Sequence, residues 1–141
     1  MTDNNKKRVL FLCTHNSARS QMAEGLLNGL YGNNFDVYSA GTHPSRVNPF
    51  AIQAMEEIGI DISHNTSKSL DAFRDMDVDY VVTVCDNAKE SCPTFPGAKH
   101  NIHKAFRDPS QFRGKDEEII VGFRQVRDEI HNWIKSEFGN D

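Results

Sequence analysis

Apolar residues fall along this chain in two rhythms: short unbroken runs, and longer stretches spaced at helical intervals. Residues 8–12 (RVLFL) are the first unbroken run and predict a strand buried on both faces. Residues 17–30 follow with helical spacing, and Met22, Ala23, Leu26, Leu27 and Leu30 form a stripe that should face the sheet. Gly32, Asn33 and Asn34 end that helix, and residues 35–40 (FDVYSA) predict a second strand. Asn48 is a natural N-cap and Pro49 suits a first helical turn, where a missing N–H costs nothing. The helix they open should turn Ala51, Ile52, Met55 and Ile58 inward and stop at Gly59.

Beyond a polar stretch at 63–69, a short helix is expected over 70–74. Residues 80–85 (YVVTVC) form the second unbroken apolar run, a central strand. A polar segment of one to two turns, 86–91, leads to Cys92 and Pro93; Pro96 and Gly97 mark a loop. Residues 100–103 predict a short last strand, 107–109 (RDP) a loop, and 117–138 a long amphipathic helix. Its apolar face holds Ile120, Phe123, Val126, Ile130, Trp133 and Ile134. The order β-α-β-α-β-α-β-α with right-handed crossovers predicts an α/β fold: one three-layer domain over residues 1–141, with a four-stranded parallel sheet flanked by helices on both faces.

Composition narrows the function classes. The 141 residues suffice for one ordinary core, and no internal repeat or second domain is visible. The net charge is −4 and the basic residues are scattered, which speaks against a nucleic-acid surface. The polar start MTDNNKKR lacks the apolar centre of a signal peptide, and no run approaches the roughly 20 residues of a membrane span. Three cysteines are too few, and odd in number, for a secreted disulfide scaffold. A cytoplasmic protein with reactive cysteines is expected, working as a monomer.

The chemistry concentrates at residues 9–20 (VLFLCTHNSARS). Cys13 stands where a buried strand ends, and the small or turn-tolerant Thr14, His15, Asn16 and Ser17 lead through Ala18 to Arg19, Ser20 and a helix. Amides at a helix N-terminus bind anions because they lack intrahelical partners and the dipole favours negative charge there. The same field favours the thiolate of Cys13. Arg19 supplies a planar fork for two oxygens of a tetrahedral oxyanion. Ser20 is placed to hydrogen-bond the sulfur, and Asn16 suits a left-handed turn. Residues 13–20 thus predict an oxyanion cradle with a nucleophilic thiol at its floor; the competing interpretation is a structural cysteine before a capped helix.

Cys85 closes the other central strand at the same sheet edge, where ligand sites of open α/β sheets lie. Cys92 follows seven residues later, a gap unsuited to a redox Cys-x-x-C turn or a zinc pair. Beside a reactive Cys13, the pair suggests thiols that pass oxidation outward; alone it would be one core and one surface cysteine. Asp108 before Pro109 is the candidate acid: a carboxyl held over an anion site would retain a proton for a leaving oxygen. Taken singly, Asp-Pro is an ordinary turn. His100 and His103 would face opposite sides of a strand, and no metal site is expected from them.

Along nearly its full length the chain resembles the thioredoxin-coupled arsenate reductases, which share the low-molecular-weight protein tyrosine phosphatase fold. The resemblance rests on CTHNSARSQMAEG at 13–25, YSAG at 38–41, GIDIS at 59–63, VVTVC at 81–85 with Cys92-Pro93, Asp108-Pro109, and FRQVRDEI at 123–130. It implies that arsenate binds the amides of the 13–20 loop and Arg19, that Cys13 attacks arsenic, and that Asp108 protonates the departing hydroxide. It further implies that Cys85 attacks Cys13, that Cys92 attacks Cys85, and that thioredoxin reduces the final disulfide, with no organic cofactor. His15 replaces the glycine of many relatives, and Ala18 a cysteine. Some relatives bind potassium through positions corresponding to Asn16, Glu24, Ser39 and an aspartate near Lys68; here the Lys68 ammonium is expected to stand in for the ion.

The nearest alternative is a low-molecular-weight protein tyrosine phosphatase. Such enzymes usually carry aromatic residues straight after the Asp-Pro, where this chain has Ser110 and Gln111. They also have no need of Cys85 and Cys92. An alternative from another class is a non-catalytic sensor whose three thiolates hold trivalent arsenic.

Overall fold

The computed structural model describes residues 6–86 and 94–139. Its strands are β1 (Lys7–Cys13), β2 (Phe35–Gly41), β3 (Val78–Thr83) and β4 (Ala98–His103); its α-helices are α1 (Arg19–Tyr31), α2 (Pro49–Glu56) and α3 (Asp116–Phe138). Single 3-10 turns stand at Leu70–Phe73 and Pro109–Gln111. The four strands are parallel in the order β2-β1-β3-β4.

The run that reads as a doubly buried strand, β1, lies inside the sheet, and Val9, Leu10, Phe11 and Leu12 are all inaccessible. Its alternation sorts the core into two. Val9, Phe11 and Cys13 join the cluster made with α1, α2 and α3. Leu10 and Leu12 join Leu70, Phe73, Val81 and Phe95 on the other face. Cys13 therefore reaches the end of β1 on the side of the α-helices, while among the described residues a 3-10 turn covers the opposite face. Period-two patterning alone decides which face receives the thiol.

Ends and edges depart from the patterned expectation. The β3 ladder stops at Thr83, so Cys85 lies in the bend beyond it. Strand β4 begins two residues earlier than its pattern predicts and is largely exposed, because pairing with β3, not apolar content, makes AKHNIH a strand. Helix α2 opens at Pro49 with Asn48 accepting the Phe50 N–H at 2.8 Å, as predicted. It ends at Glu56: Gly59 takes a φ of 82° and the chain folds back, leaving Ile58 exposed rather than inward. Leu30 is also exposed, since the face of α1 is completed by Gly25 and Gly29 against Ile60 and Ile62.

Helix α3 begins with Asp116, Glu117 and Glu118 and carries Lys135 in its last turn, charges that suit the dipole at each end. Trp133 is half-buried, its ring edge-on to Phe106 and Phe138. Arg124 makes a bidentate pair with Glu57, and Arg127 reaches both Glu57 at 3.2 Å and the Ala54 carbonyl at 2.8 Å. Two arginines thereby fasten α3 to the C-terminal end of α2, where the dipole is negative. They hold Glu57 below the ordinary carboxylate range, the Arg124 hydrogen bond first.

Candidate oxyanion site

The loop between β1 and α1 is shaped by one residue in the left-handed region, Asn16, with φ 51°. Asparagine tolerates that conformation better than other side chains with a Cβ. The turn brings the Asn16 N–H to 3.2 Å from the Cys13 sulfur, and the Ser20 hydroxyl lies 2.9 Å from the same atom. Across from the loop stands Gly41, where a Cβ would come within 2.6 Å of the Thr14 carbonyl and 2.9 Å of the Asn16 nitrogen. Backbone passes backbone too closely there for any larger residue.

Donor directions around Asn16 can be worked out from its partners. The Lys68 N–H can only donate, so the atom it meets at 2.8 Å is the Asn16 amide oxygen. The amide nitrogen then donates to Ser20 Oγ at 2.8 Å and to Ser39 Oγ at 2.9 Å. Ser39 passes its own proton to Glu24 Oε1 at 2.5 Å. Ser20, accepting from Asn16, has its proton left for the sulfur, the direction that stabilises a thiolate. Burial raises Glu24 above the usual carboxylate range, opposed by the Ser39 hydrogen bond and by Lys68, whose ammonium is 3.9 Å away.

Arg19, the first residue of α1, is almost fully enclosed. Its guanidinium donates to the Phe106 carbonyl at 3.3 Å and stands 3.6 Å from Asp108 Oδ2. Asp108 caps the Pro109–Gln111 turn, with Oδ1 accepting the Ser110 N–H at 3.0 Å and the Ser110 hydroxyl at 2.7 Å. One carboxylate oxygen is thus committed to the turn, and the other faces the arginine. Ala18 sits at the N-cap of α1, where serine, threonine or aspartate would ordinarily supply a capping oxygen. An alanine cannot compete with an anion for the first-turn amides.

Above the loop opens a cavity of about 480 Å³ lined by Thr14, His15, Asp86, Arg107, Asp108, Gln111 and Phe112. His15 is exposed at this rim, its Nδ1 donating to the His43 carbonyl at 3.0 Å. Ser17 is half-buried behind it, its carbonyl accepting the Asn48 N–H. The structure thus gathers Cys13, Asn16, Arg19, Ser20 and Asp108 in one place, with Thr14 and His15 at its mouth.

Cys85 is brought to the same end of the sheet. The Val84 N–H donates to the Leu12 carbonyl at 2.9 Å, so the chain after β3 runs beside Cys13, and both cysteines belong to the core cluster on the α-helical face. Cys13 is a free thiol, whereas Cys85 is disulfide-bonded. Cys92, the third cysteine of the expected relay, lies outside the described residues. His100 and His103 stand on β4 and serve the sheet: His100 stacks on Tyr80, and His103 hydrogen-bonds Thr83 at 2.7 Å. Lys68 was expected at this corner, but the buried Gln21 and residues 65–67, which brace the loop, were not. Gln21 carried one faint signal, a long amide next to the apolar stripe of its helix.

A parallel sheet ending in a cysteine, an anion-binding loop, an arginine and an opposing aspartate is the arrangement of a thiol-dependent oxyanion enzyme. The family model described as low molecular weight phosphotyrosine protein phosphatase matches residues 8–136. Within that fold the similarity is to arsenate reductases. The chain is 50% identical to the arsenate reductase of Halalkalibacterium halodurans over 94% of its own length and 95% of the relative's. A solved arsenate reductase in the phosphate-binding state superposes with a TM-score of 0.74 at 35% identity, covering 92% of this chain and 95% of that one. The thioredoxin-dependent arsenate reductase of Corynebacterium glutamicum gives a TM-score of 0.64 at 30% identity, covering 96% of this chain and 63% of that one. The chain belongs to the arsenate reductases built on the low-molecular-weight phosphatase fold.

Proposed function

We propose that this protein reduces arsenate to arsenite through a relay of Cys13, Cys85 and Cys92 that thioredoxin resets. The loop amides and Arg19 hold the tetrahedral anion while the Cys13 thiolate attacks arsenic. A sulfur–arsenic bond forms, and an arsenic–oxygen bond breaks as Asp108 protonates the departing oxygen. Cys85 then attacks the Cys13 sulfur. The electron pair of the sulfur–arsenic bond passes to arsenic, arsenite leaves, and a Cys13–Cys85 disulfide remains. Cys92 attacks Cys85 and frees Cys13, and the thioredoxin dithiol reduces the resulting disulfide. The net change is arsenate and dithiol to arsenite, disulfide and water.

The carrying observation is that Cys13 and Cys85 leave adjacent parallel strands at one sheet edge and on one face. A free Cys13 together with a disulfide-bonded Cys85 also fits the state in which the relay ends. Thioredoxin as reductant is supported by the likeness to the thioredoxin-dependent relative. Such a relay needs a compartment that keeps thiols reduced, which places it in the cytoplasm; no described helix is long and apolar enough to cross a membrane. Every group used comes from one chain, so a monomer suffices.

The test is NADPH oxidation on arsenate with thioredoxin and its reductase, for the native chain and Cys92→Ser. The variant should react once and stop with Cys13 joined to Cys85. Undiminished cycling would remove Cys92 from the relay.

One observation favours a secondary activity. Phe112 lies on the cavity wall beside Asp108, although no aromatic residue directly follows the Asp-Pro. Slow hydrolysis of small aryl phosphates is expected, requiring Cys13 and Asp108 but indifferent to Cys85→Ser.

A further inference from the structure

Helix α1 buries an amide that its packing does not require. Gln21 is completely inaccessible, directly beside the apolar Met22 and Ala23. Burying a side chain of that kind without partners is strongly unfavourable. Both of its polar atoms have partners. Since the Thr66 carbonyl can only accept, the atom 2.9 Å from it is the Gln21 amide nitrogen. The second N–H of that nitrogen points to Asn16, whose side-chain oxygen is at 3.0 Å and main-chain oxygen at 3.2 Å. The Gln21 oxygen accepts from Asn65 Nδ2 at 3.1 Å.

These contacts converge on the one non-glycine residue with positive φ among those described, and that residue turns its N–H toward the reactive sulfur. The 65–68 segment that Gln21 grips is itself tied to the same loop. Lys68 donates its N–H to Asn16, and Ser67 Oγ donates to the His15 carbonyl at 2.8 Å. Asparagine tolerates the left-handed region without preferring it, so contacts that hold Asn16 there help to fix the turn. Gln21 grips both the side chain and the main chain of Asn16 while anchored on a segment some 45 residues away in sequence.

We propose that Gln21 is a positioning residue for the reaction. It holds the Asn16 turn, and through it the loop amides that meet the oxyanion and the Cys13 sulfur. It touches neither substrate nor sulfur itself. The inference rests on the proposed arsenate chemistry for its kinetic arm only; its alkylation arm reads the thiol whatever the substrate.

Gln21→Leu keeps the size and removes the amide. The expected result is an arsenate KM raised about tenfold, the equivalent of one lost hydrogen bond, with kcat changed far less. The pH midpoint for Cys13 alkylation by iodoacetamide should rise by about one unit. Gln21→Glu, read below and above the ionisation of its buried carboxyl, offers one donor when protonated and none when ionised. It should recover part of both properties at the acid end and lose them at the alkaline end. A Gln21→Leu protein that melts earlier but keeps the native alkylation profile and KM would show a merely structural role and overturn the assignment. If Gln21→Leu does not fold, Gln21→Glu decides. A pH-dependent loss beyond that of the native chain supports the proposal, and native behaviour throughout overturns it. An altered alkylation profile in a chain without arsenate turnover would count against the reductase chemistry and for Gln21.

Discussion

Removing the Ser20 hydroxyl isolates the contact that prepares the thiol. Ser20 Oγ is 2.9 Å from the Cys13 sulfur and accepts the Asn16 amide N–H at 2.8 Å, so its own proton is directed at the sulfur. A hydrogen bond to a charged group contributes about 1.5–3 kcal/mol. The Asn16 N–H at 3.2 Å survives the substitution and limits the loss to the lower end of that range. At 1.36 kcal/mol per pH unit, Ser20→Ala should raise the midpoint of Cys13 alkylation by roughly one unit. The assay is the iodoacetamide rate between pH 5 and 10, with phosphate protection confirming the thiol being read. Ser20→Ala also strips an acceptor from Asn16, so the control is Ser39→Ala. That variant removes the other acceptor of the same nitrogen at 2.9 Å and does not touch the sulfur. Both variants should lose comparable stability, and only Ser20→Ala should move the midpoint strongly. Equal movement in the two would refute the direct contact and assign the effect to the loop as a whole.

Gly41→Ala should cost about 1–3 kcal/mol in urea unfolding and abolish phosphate protection of Cys13, because the added carbon meets main-chain atoms of Thr14 and Asn16 that cannot swing away; a stable variant that still binds phosphate would contradict that packing. Glu24 sets a pH dependence. Burial raises its carboxyl above the ordinary 4.5, so its contribution to stability is complete below about that pH and is lost as pH rises through the folded value. Glu24→Gln should therefore gain on the native chain in urea midpoint from pH 4.5 upward, whereas a constant difference would rule out a titrating Glu24. Added potassium should leave arsenate turnover unchanged, since the Lys68 ammonium already stands 3.9 Å from Glu24 and donates to the Thr66 carbonyl at 2.7 Å. Lys68→Gln should make turnover potassium-sensitive; a several-fold potassium stimulation of the native chain would refute the substitution of lysine for the ion.

Local chemistry made the floor of the site readable in advance. Cys13, Arg19 and Ser20 belong to one strand–loop–helix passage, and the Asn48–Pro49 start of α2 follows from what asparagine and proline do to backbone amides. Central strands announce themselves because both faces must be apolar, whereas β4 owes its state to a neighbour and was legible only in part. Ile58 was misplaced because a helical stripe has no marker for where the helix stops turning; Gly59, which supplies the positive φ, was read as the stop although the helix had ended at Glu56. The bracing of the loop by Gln21, Asn65, Thr66 and Lys68 joins residues 44 to 52 positions apart, and nothing in a local pattern states such a pairing.

The same cradle serves two outcomes, and the difference lies in what reaches the Cys13 sulfur or its partner atom next. A hydrolase needs water delivered to the bound oxyanion; a reductase needs a second sulfur delivered to the first. Attack on the arsenic or phosphorus centre returns the thiol unchanged, while attack on the sulfur pushes an electron pair onto the central atom. Arsenic accepts that pair readily and phosphorus does not, so in this site phosphate can be bound and a phosphate ester hydrolysed, but neither can be reduced. The fold places Cys85 one bend past β3, on the face that Cys13 occupies, and buries it completely. Buried in this disulfide-bonded state, Cys85 is out of reach of any protein-sized reductant. In the proposed relay a third cysteine, seven residues further along the chain, would take the oxidation over from Cys85 and pass it to a reductant too large to enter the core. Cys85→Ser should then convert the protein into one that binds arsenate and hydrolyses aryl phosphates at the native rate, yet consumes no NADPH.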